Sequence, residues 1–188
     1  GNWGSAYRDG STPKPLFTAR GPGGSIQPIT IAPSIMKHPD LGRPGYLVVF
    51  GTGKYLHPSD FTGTATQTIY GIWDYGDAVN EYLGTFTRNA GADQQKLSNQ
   101  PPTVSMLAQT QIYYDEITFG SFTRFLRVLS KNAIKWDTDV DADANQKANP
   151  SALRPNNAGW YFDTPINTPG ERIVRDGLVD GSWPKFLH

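Results

Sequence analysis

Glycine and proline interrupt this sequence so often that long helices cannot form. The 188 residues include 20 glycines and 15 prolines, and both residue types weaken helices and mark turns. Between them lie short runs of β-branched and aromatic residues, which favour strands. The stronger runs are 26–31, 46–50, 68–73, 106–114 and 122–129, and the weaker ones are 16–18, 160–162 and 171–174. The sequence therefore predicts an all-β protein.

The order of these runs indicates antiparallel meanders, in which each strand is joined to the next by a turn. Blades of a β-propeller contain four such strands, and a closed ring needs about four or more blades. Eight predicted strands amount to about two blades. We therefore predict that residues 1–188 are a single β-rich region and a fragment of a larger propeller domain. Its open sheet edges are expected to pair with another chain or with the rest of the same protein.

Two polar stretches, 87–103 and 137–157, are predicted to be long surface loops because they lack strand-forming runs. Binding sites often lie on loops that a rigid scaffold holds. These loops are thus the best candidates for contact with a partner, although the sequence assigns no individual residue to adhesion.

Charge and residue content exclude several classes of function. The 17 basic and 17 acidic residues cancel, so no overall field directs the chain to nucleic acid or to an anionic membrane. No apolar run is long enough for a membrane span. The absence of cysteine excludes disulfides, thiolate zinc sites and a cysteine nucleophile.

The sequence FGTGKYL at 50–56 follows an apolar strand, as a phosphate-binding loop would. That motif requires a hydroxyl residue after the lysine, however, and Tyr55 stands there. No helix is predicted to follow, because Pro58 and Gly63 interrupt the segment. We therefore interpret Gly51 and Gly53 as structural turn residues, with Lys54 and Tyr55 at the rim of the sheet.

Alternating aspartates form the most chemically suggestive stretch of the chain. Such spacing is typical of the first half of a calcium-binding loop, but Ala142 and Ala148 occupy the positions of its turn glycine and its bidentate glutamate. A solvated acidic loop is the other interpretation. The candidate metal ligands are Asp137, Asp139, Asp141 and Asp143.

No catalytic constellation is visible in the sequence. The three histidines, at 38, 57 and 188, have no partner at metal-ligand spacing, and there is no nucleophile elbow. We therefore predict that the chain is not an enzyme. Aromatic residues could instead stack on a sugar, in which case the platform would be Trp73, Trp136 or Trp160.

A longer series of motifs resembles a known family. The series consists of PLFTA, QPIT, VVFGTGKYL, QTIYGIWD, GWYFDTP and GERIV, in that order. It is similar to the C-terminal domain of the PilC/PilY family of type IV pilus assembly and tip-adhesin proteins, from about residue 2 to residue 175. The segment after GERIV ends sooner here than in that family, and the linker before it is longer.

The resemblance implies a modified β-propeller on a large secreted protein, without catalysis. It implies roles in pilus biogenesis, tip adhesion and control of retraction, at the pilus tip or outer membrane after export through the periplasm. The implied partners are pilin or minor pilins, the remaining propeller blades, and a host or abiotic surface. The family's regulatory Ca²⁺ would bind in a loop just upstream of residue 1, so no calcium ligand is carried over to this chain.

Two other functions remain open at this point. One is a carbohydrate-binding β-domain that uses the tryptophans named above. The other is an enzyme of the quinoprotein propeller type, which would need acidic calcium ligands on its inner strands, whereas the acidic residues here lie in polar stretches.

Overall fold

The computed structural model describes residues 6–40, 43–75, 82–88, 94–100, 104–136, 156–164, 170–174, 178–179 and 184–185. Within these residues the protein consists of strands and two short 3-10 helices, Pro22–Gly24 and Pro58–Thr62. The all-β prediction is confirmed. None of the helices in this described part has the length and apolar character needed to cross a membrane.

The strands are short, as the frequent turn residues require. In chain order they are β1 Tyr7–Asp9, β2 Thr12–Lys14, β3 Phe17–Thr18, β4 Ser34–Lys37, β5 Tyr46–Gly51, β6 Thr68–Asp74, β7 Gly84–Thr87, β8 Gln94–Leu97, β9 Ser105–Ala108, β10 Gln111–Phe119, β11 Phe122–Leu129, β12 Asn157–Asp163, β13 Leu178–Val179 and β14 Pro184–Lys185.

Eight strands form the main sheet, in the order β3-β7-β8-β9-β12-β6-β5-β4. The sheet contains two antiparallel meanders, β4–β5–β6 and β7–β8–β9. Strand β12 joins them, because it pairs antiparallel with β6 and parallel with β9. Strand β3 pairs parallel with β7 at the far edge. The predicted meanders are therefore present, side by side in one sheet.

Four of the sequence-based assignments are wrong. The run 171–174 is not a strand, and the run 106–114 is divided between β9 and β10, with residues 109–110 between them. The run 26–31 is not a strand and makes only isolated bridges, since Pro28 has no N–H to donate to a ladder; the strand follows Pro33, as β4. The predicted loop 87–103 contains β8, whose polar sequence is ordered by pairing with β7 and β9 on its two sides. Of the predicted loop 137–157, residues 137–155 lie outside the described residues.

An aromatic cluster fills one side of the sheet around Tyr70, at the centre of β6. Its ring lies within about 6 Å of those of Phe17, Phe50, Phe86 and Tyr161. Tyr70 and Phe86 are fully buried. Burying a large apolar side chain contributes roughly 1.5–3 kcal/mol, so this cluster contributes strongly to the sheet's stability.

Three hairpins lie outside the main sheet: β1–β2, β10–β11 and β13–β14. The β10–β11 hairpin is inserted between β9 and β12, which are neighbours in the sheet. The chain therefore leaves the sheet after Ala108 and returns to the next position at Asn157.

Candidate functional site

The turn after β5, which contains the GTGK sequence, lies between two other segments of the chain. The Gly53 N–H donates to the Pro28 carbonyl at 2.8 Å, and the Ile173 N–H donates to the Thr52 carbonyl at 3.2 Å. A Cβ on Gly51 would lie 2.4 Å from Cβ of Ile173. Gly51 thus permits a close approach of the GERIV segment.

A glycine is also required at position 53, both for its backbone conformation and for its packing. Its φ is +135°, and a Cβ there would lie 2.6 Å from Cβ of Arg172. Side chains rarely adopt such a backbone conformation. The two glycines therefore serve backbone geometry and packing.

Lys54 contacts a buried carboxylate of its own chain. Its Nζ lies 2.8 Å from Oδ1 of Asp60, whose side chain is only 5% exposed. The other carboxylate oxygen accepts the backbone N–H groups of Leu56 and His57, each at 3.0 Å. The hydrogen bond from Lys54, followed by that from the Leu56 backbone, lowers the pKa of Asp60 from 3.8 to about 2. Lys54 therefore completes an internal ion pair.

Arg172, in the GERIV segment, donates hydrogen bonds to four backbone carbonyls. Nε donates to Gly170 at 2.9 Å and Nη2 to Gly63 at 2.7 Å. Nη1 donates to Lys54 at 3.2 Å and, in a closer contact, to Asp60. We call Lys54, Asp60 and Arg172 the clasp, because together they tie the turn, the 3-10 helix and the GERIV segment into one unit.

Acid is expected to weaken the clasp through Asp60. Because its pKa in the folded protein lies below the ordinary value of 3.8, ionised Asp60 contributes its full stabilisation above pH 3.8 and loses it as the pH falls through about 2. Asp60→Asn should therefore be less stable than wild type at neutral pH, and the gap in the free energy of unfolding should shrink as the pH falls from 3.8 to about 2. Urea unfolding at several pH values measures the gap.

The matched control for this prediction is Asp9→Asn. Asp9 is 67% exposed, and its contact with Lys14 is 3.6 Å long. Its variant should stay close to wild type at every pH, because exposed ion pairs contribute little. A gap for Asp60→Asn that does not change with pH would refute the assignment.

A second polar cluster lies inside the sheet. Arg88 makes a bidentate ion pair with Asp163, with nitrogen–oxygen distances of 2.9 and 2.5 Å. The Thr68 hydroxyl donates to the same carboxylate at 2.7 Å, and the guanidinium lies 4.6 Å from the ring centroid of Tyr161. Burial lowers the pKa of Arg88, but the Asp163 carboxylate raises it more, so the net shift is upward. The cluster joins β6, β12 and the end of β7, which is a structural role.

Of the tryptophans proposed as a sugar platform, Trp73 is buried, whereas Trp136 and Trp160 are half-buried. Trp73 has no exposed surface, and its ring lies 4.6 Å from that of His38 and 5.6 Å from that of Trp136. Trp160 stacks on Phe162 with an interplanar angle of 7°. A sugar cannot stack on the ring of Trp73, so the structure does not favour the carbohydrate-binding alternative.

The candidate metal ligands Asp137, Asp139, Asp141 and Asp143 lie outside the described residues, and they remain a prediction. Sequence reasoning missed the roles of Asp60, Arg172, Arg88 and Asp163. For Arg172 and Asp163 a signal was present, since they belong to the motifs GERIV and GWYFDTP. Arg88 and Asp60 lie outside the motif series.

The described residues form one sheet of two joined meanders. Its two polar clusters bind the protein's own backbone and side chains, as expected of a structural β-domain. The sequence profile of the PilY1 beta-propeller domain matches residues 5–110. The chain belongs to that family.

Full-length relatives and a solved structure agree with this assignment. The chain is 33% identical over 184 residues to the type IV pilus biogenesis factor PilY1 of Pseudomonas aeruginosa strain UCBPP-PA14, covering 94% of this chain and 14% of that protein. It is 44% identical over 78 residues to a PilY1 homolog of Xylella fastidiosa, covering 41% of this chain and 5% of that protein. The crystal structure of the P. aeruginosa PilY1 C-terminal domain superposes with a TM-score of 0.62 at 29% identity, covering 90% of this chain and 30% of that one.

Proposed function

We propose that this chain is a non-catalytic structural and adhesion module of a protein that acts in type IV pilus biogenesis. The observation that carries the proposal is its similarity, over 94% of its length, to the type IV pilus biogenesis factor PilY1. The chain spans only 14% of that relative. The activity of the whole relative therefore comes to this chain only as a proposal.

The internal use of charged groups supports a role without catalysis. Catalytic acids and bases are held within reach of a reacting group and have pKa values near the working pH. Asp60 is instead bonded to Lys54 and two backbone N–H groups, with a pKa of about 2. The Asp163 carboxylate is paired with Arg88. These two polar clusters thus support fold geometry.

We further propose where the module acts and what it contacts. It acts at the cell surface, at the pilus tip or the outer membrane, after export through the periplasm. Its partners are pilin or minor pilins, further propeller blades, and a host or abiotic surface. Any Ca²⁺ that the family requires binds outside residues 1–188.

A deletion strain tests the proposal. Removal of the gene is expected to abolish most surface pili and most attachment to an abiotic surface, and the wild-type gene should restore both. Sheared pilin is quantified by immunoblot, and attached cells are counted. The same deletion in a strain unable to retract pili distinguishes control of retraction from pilus assembly. Recovery of pili in that strain indicates that the protein opposes retraction. Continued absence of pili indicates that the protein is needed for assembly.

Complementation with variants ties the effect to this chain. Arg172→Ala should restore few pili because it removes the clasp. Arg8→Ala should restore them fully because Arg8 is exposed and, among the described residues, donates only to the Ser11 carbonyl. Normal piliation and attachment in the deletion strain would overturn the proposed function.

A further inference from the structure

The main sheet ends at β4, and the outer edge of that strand is a surface on which another strand can pair. Among the described residues, β4 forms a ladder with β5 and with no other strand. In an antiparallel pair, alternate residues of a strand direct their backbone N–H and C=O groups away from the neighbour. Such an edge is a template for pairing with a further strand, including one from another molecule.

The sequence of β4 gives this edge little protection of its own. Natural edge strands are commonly blocked by proline, by a bulge or by charged side chains. Strand β4 reads SIMK, and its register with β5 is continuous, without a bulge. Ile35 is 63% exposed, and Lys37, at the end of the strand, is its only charged residue. The edge therefore needs a cover from elsewhere.

The β13–β14 hairpin lies next to this edge. Cα atoms of β13 lie within 8 Å of Cα atoms of β4. Neighbouring strands of a sheet are about 4.8 Å apart, whereas sheets that pack face to face are about 10 Å apart. Strand β13 therefore lies beside β4 and not over its face. Since β5 occupies one side of β4, β13 lies along the other side, at the outer edge.

The hairpin is suited to end a sheet. Its two strands are antiparallel, with Leu178 opposite Lys185 and Val179 opposite Pro184. Strand β14 makes no comparable approach to β4 among the described residues, so β13 is the inner strand of the hairpin and β14 the outer one. Pro184 has no N–H to donate, and proline in a sheet is confined to edge positions. Pairing of further strands is therefore disfavoured at β14.

We propose that the β13–β14 hairpin covers the β4 edge of the main sheet and prevents β4 of a second molecule from pairing there. A second copy is the competing strand because antiparallel pairing of β4 with itself brings identical surfaces together around a two-fold axis. Strand β13 has two residues and β4 has four, so the cover depends on few backbone contacts. Because it depends on sheet topology and not on the pilus role, its failure would leave the proposed function in place.

Cross-linking in the whole protein, expressed from its natural gene, tests the position of the hairpin. Ile35→Cys is combined with Leu178→Cys and, in a separate protein, with Val179→Cys, because successive residues of a strand point to opposite faces. Residues 1–188 contain no cysteine of their own. A short bismaleimide is expected to join at least one of the two pairs within one polypeptide, as identified by mass spectrometry of the linked peptides.

The matched control pairs Ile35→Cys with Thr87→Cys. Thr87 is exposed and lies in β7, six interstrand spacings or about 29 Å from β4 along the sheet. Its linked yield should be several-fold lower. Yields from both hairpin pairs no higher than that of the control would overturn the proposal. A link between two copies through position 35 would also overturn it, since a second molecule would then occupy the edge.

Weakening the hairpin tests whether it prevents association. Leu178→Gly combined with Val179→Pro removes the strand-forming residues of β13 and one of its N–H donors. The molar mass by light scattering should then rise toward twice that of wild type at equal concentration. Adding Ile35→Lys should restore the wild-type mass, because it places a second lysine beside Lys37 on the exposed edge.

A folded hairpin variant whose mass equals that of wild type would overturn the proposal, as would association that Ile35→Lys does not reverse. Circular dichroism establishes whether the variant is folded. The cross-link is measured with the hairpin strands otherwise intact, so it decides the position of the cover even if the weakened hairpin does not fold.

Discussion

Replacing Arg172 with alanine is expected to destabilise the protein by about 4 kcal/mol. Hydrogen bonds from a charged donor contribute about 1.5–3 kcal/mol each, and carbonyls left without a partner add their own cost. Arg172 makes four such bonds, to Gly170, Lys54, Asp60 and Gly63, but bonds in one network are not additive. The free energy of unfolding in urea, measured for both proteins at neutral pH, gives the difference.

Two further variants test whether the loss of stability comes from the guanidinium of Arg172. Arg172→Lys keeps the charge, but an ammonium cannot reach carbonyls on several sides in the manner of a planar guanidinium. It should therefore lose about 2 kcal/mol. Arg8→Ala, which removes one exposed hydrogen bond of 3.3 Å, should change stability by less than about 0.5 kcal/mol. An Arg172→Ala protein within about 1 kcal/mol of wild type would show that the clasp does not hold the turn.

The clasp shows what sequence reasoning reached and where it stopped. The rejection of a phosphate loop depended on local facts, namely Tyr55 after the lysine and the lack of an amphipathic helix behind it; the short 3-10 helix Pro58–Thr62 follows there. The partner of Lys54 lies only six positions away, at Asp60. Arg172, however, reaches the Asp60 carbonyl across 112 positions. Backbone carbonyls have no sequence identity, so no pattern indicates which arginine binds them.

The strands likewise fall into those that the local sequence predicts and those that it does not. Tyr46–Gly51 and Thr68–Asp74 were predicted with errors of one residue, because β-branched and aromatic residues fill them. The strand Gln94–Leu97 was missed since three of its four residues are polar, and it is a strand because neighbours pair with it on both sides. The parallel pairing of β12 with β9 was also not predicted, because a local pattern carries no information on distant pairing.

Gly159→Ala is expected to destabilise the protein by more than about 4 kcal/mol. Gly159 lies in β12 with a φ of +152°, and a Cβ there would lie 2.2 Å from the Gly71 carbonyl oxygen and 2.9 Å from Cα of Ile72. Both obstacles are backbone atoms of β6, the strand paired with β12 at the centre of the sheet. The clash can be relieved only if the two strands separate, which would break the pairing.

The matched control is Gly10→Ala in the β1–β2 turn. Gly10 also has a positive φ, +58°, but a Cβ there would have no atom within 4 Å. It should therefore cost only the conformational strain of a left-handed residue, about 1–2 kcal/mol. Soluble yield and urea unfolding are measured for both variants, and a Gly159→Ala protein as stable as Gly10→Ala would contradict the steric argument.

A second pair of variants distinguishes backbone obstacles from side-chain obstacles if Gly159→Ala does not fold. A Cβ on Gly71 would lie 2.4 Å from the ring of Trp160, which is a side chain. Gly71→Ala should therefore be destabilised in wild type but much less so in a Trp160→Ala background, giving a coupling energy of about 1–3 kcal/mol in a double-mutant cycle. The same background should not rescue Gly159→Ala, because removing an indole does not move the Gly71 carbonyl. Equal rescue of both variants would mean that the β6–β12 contact is set by Trp160 packing and not by the close approach of the two backbones.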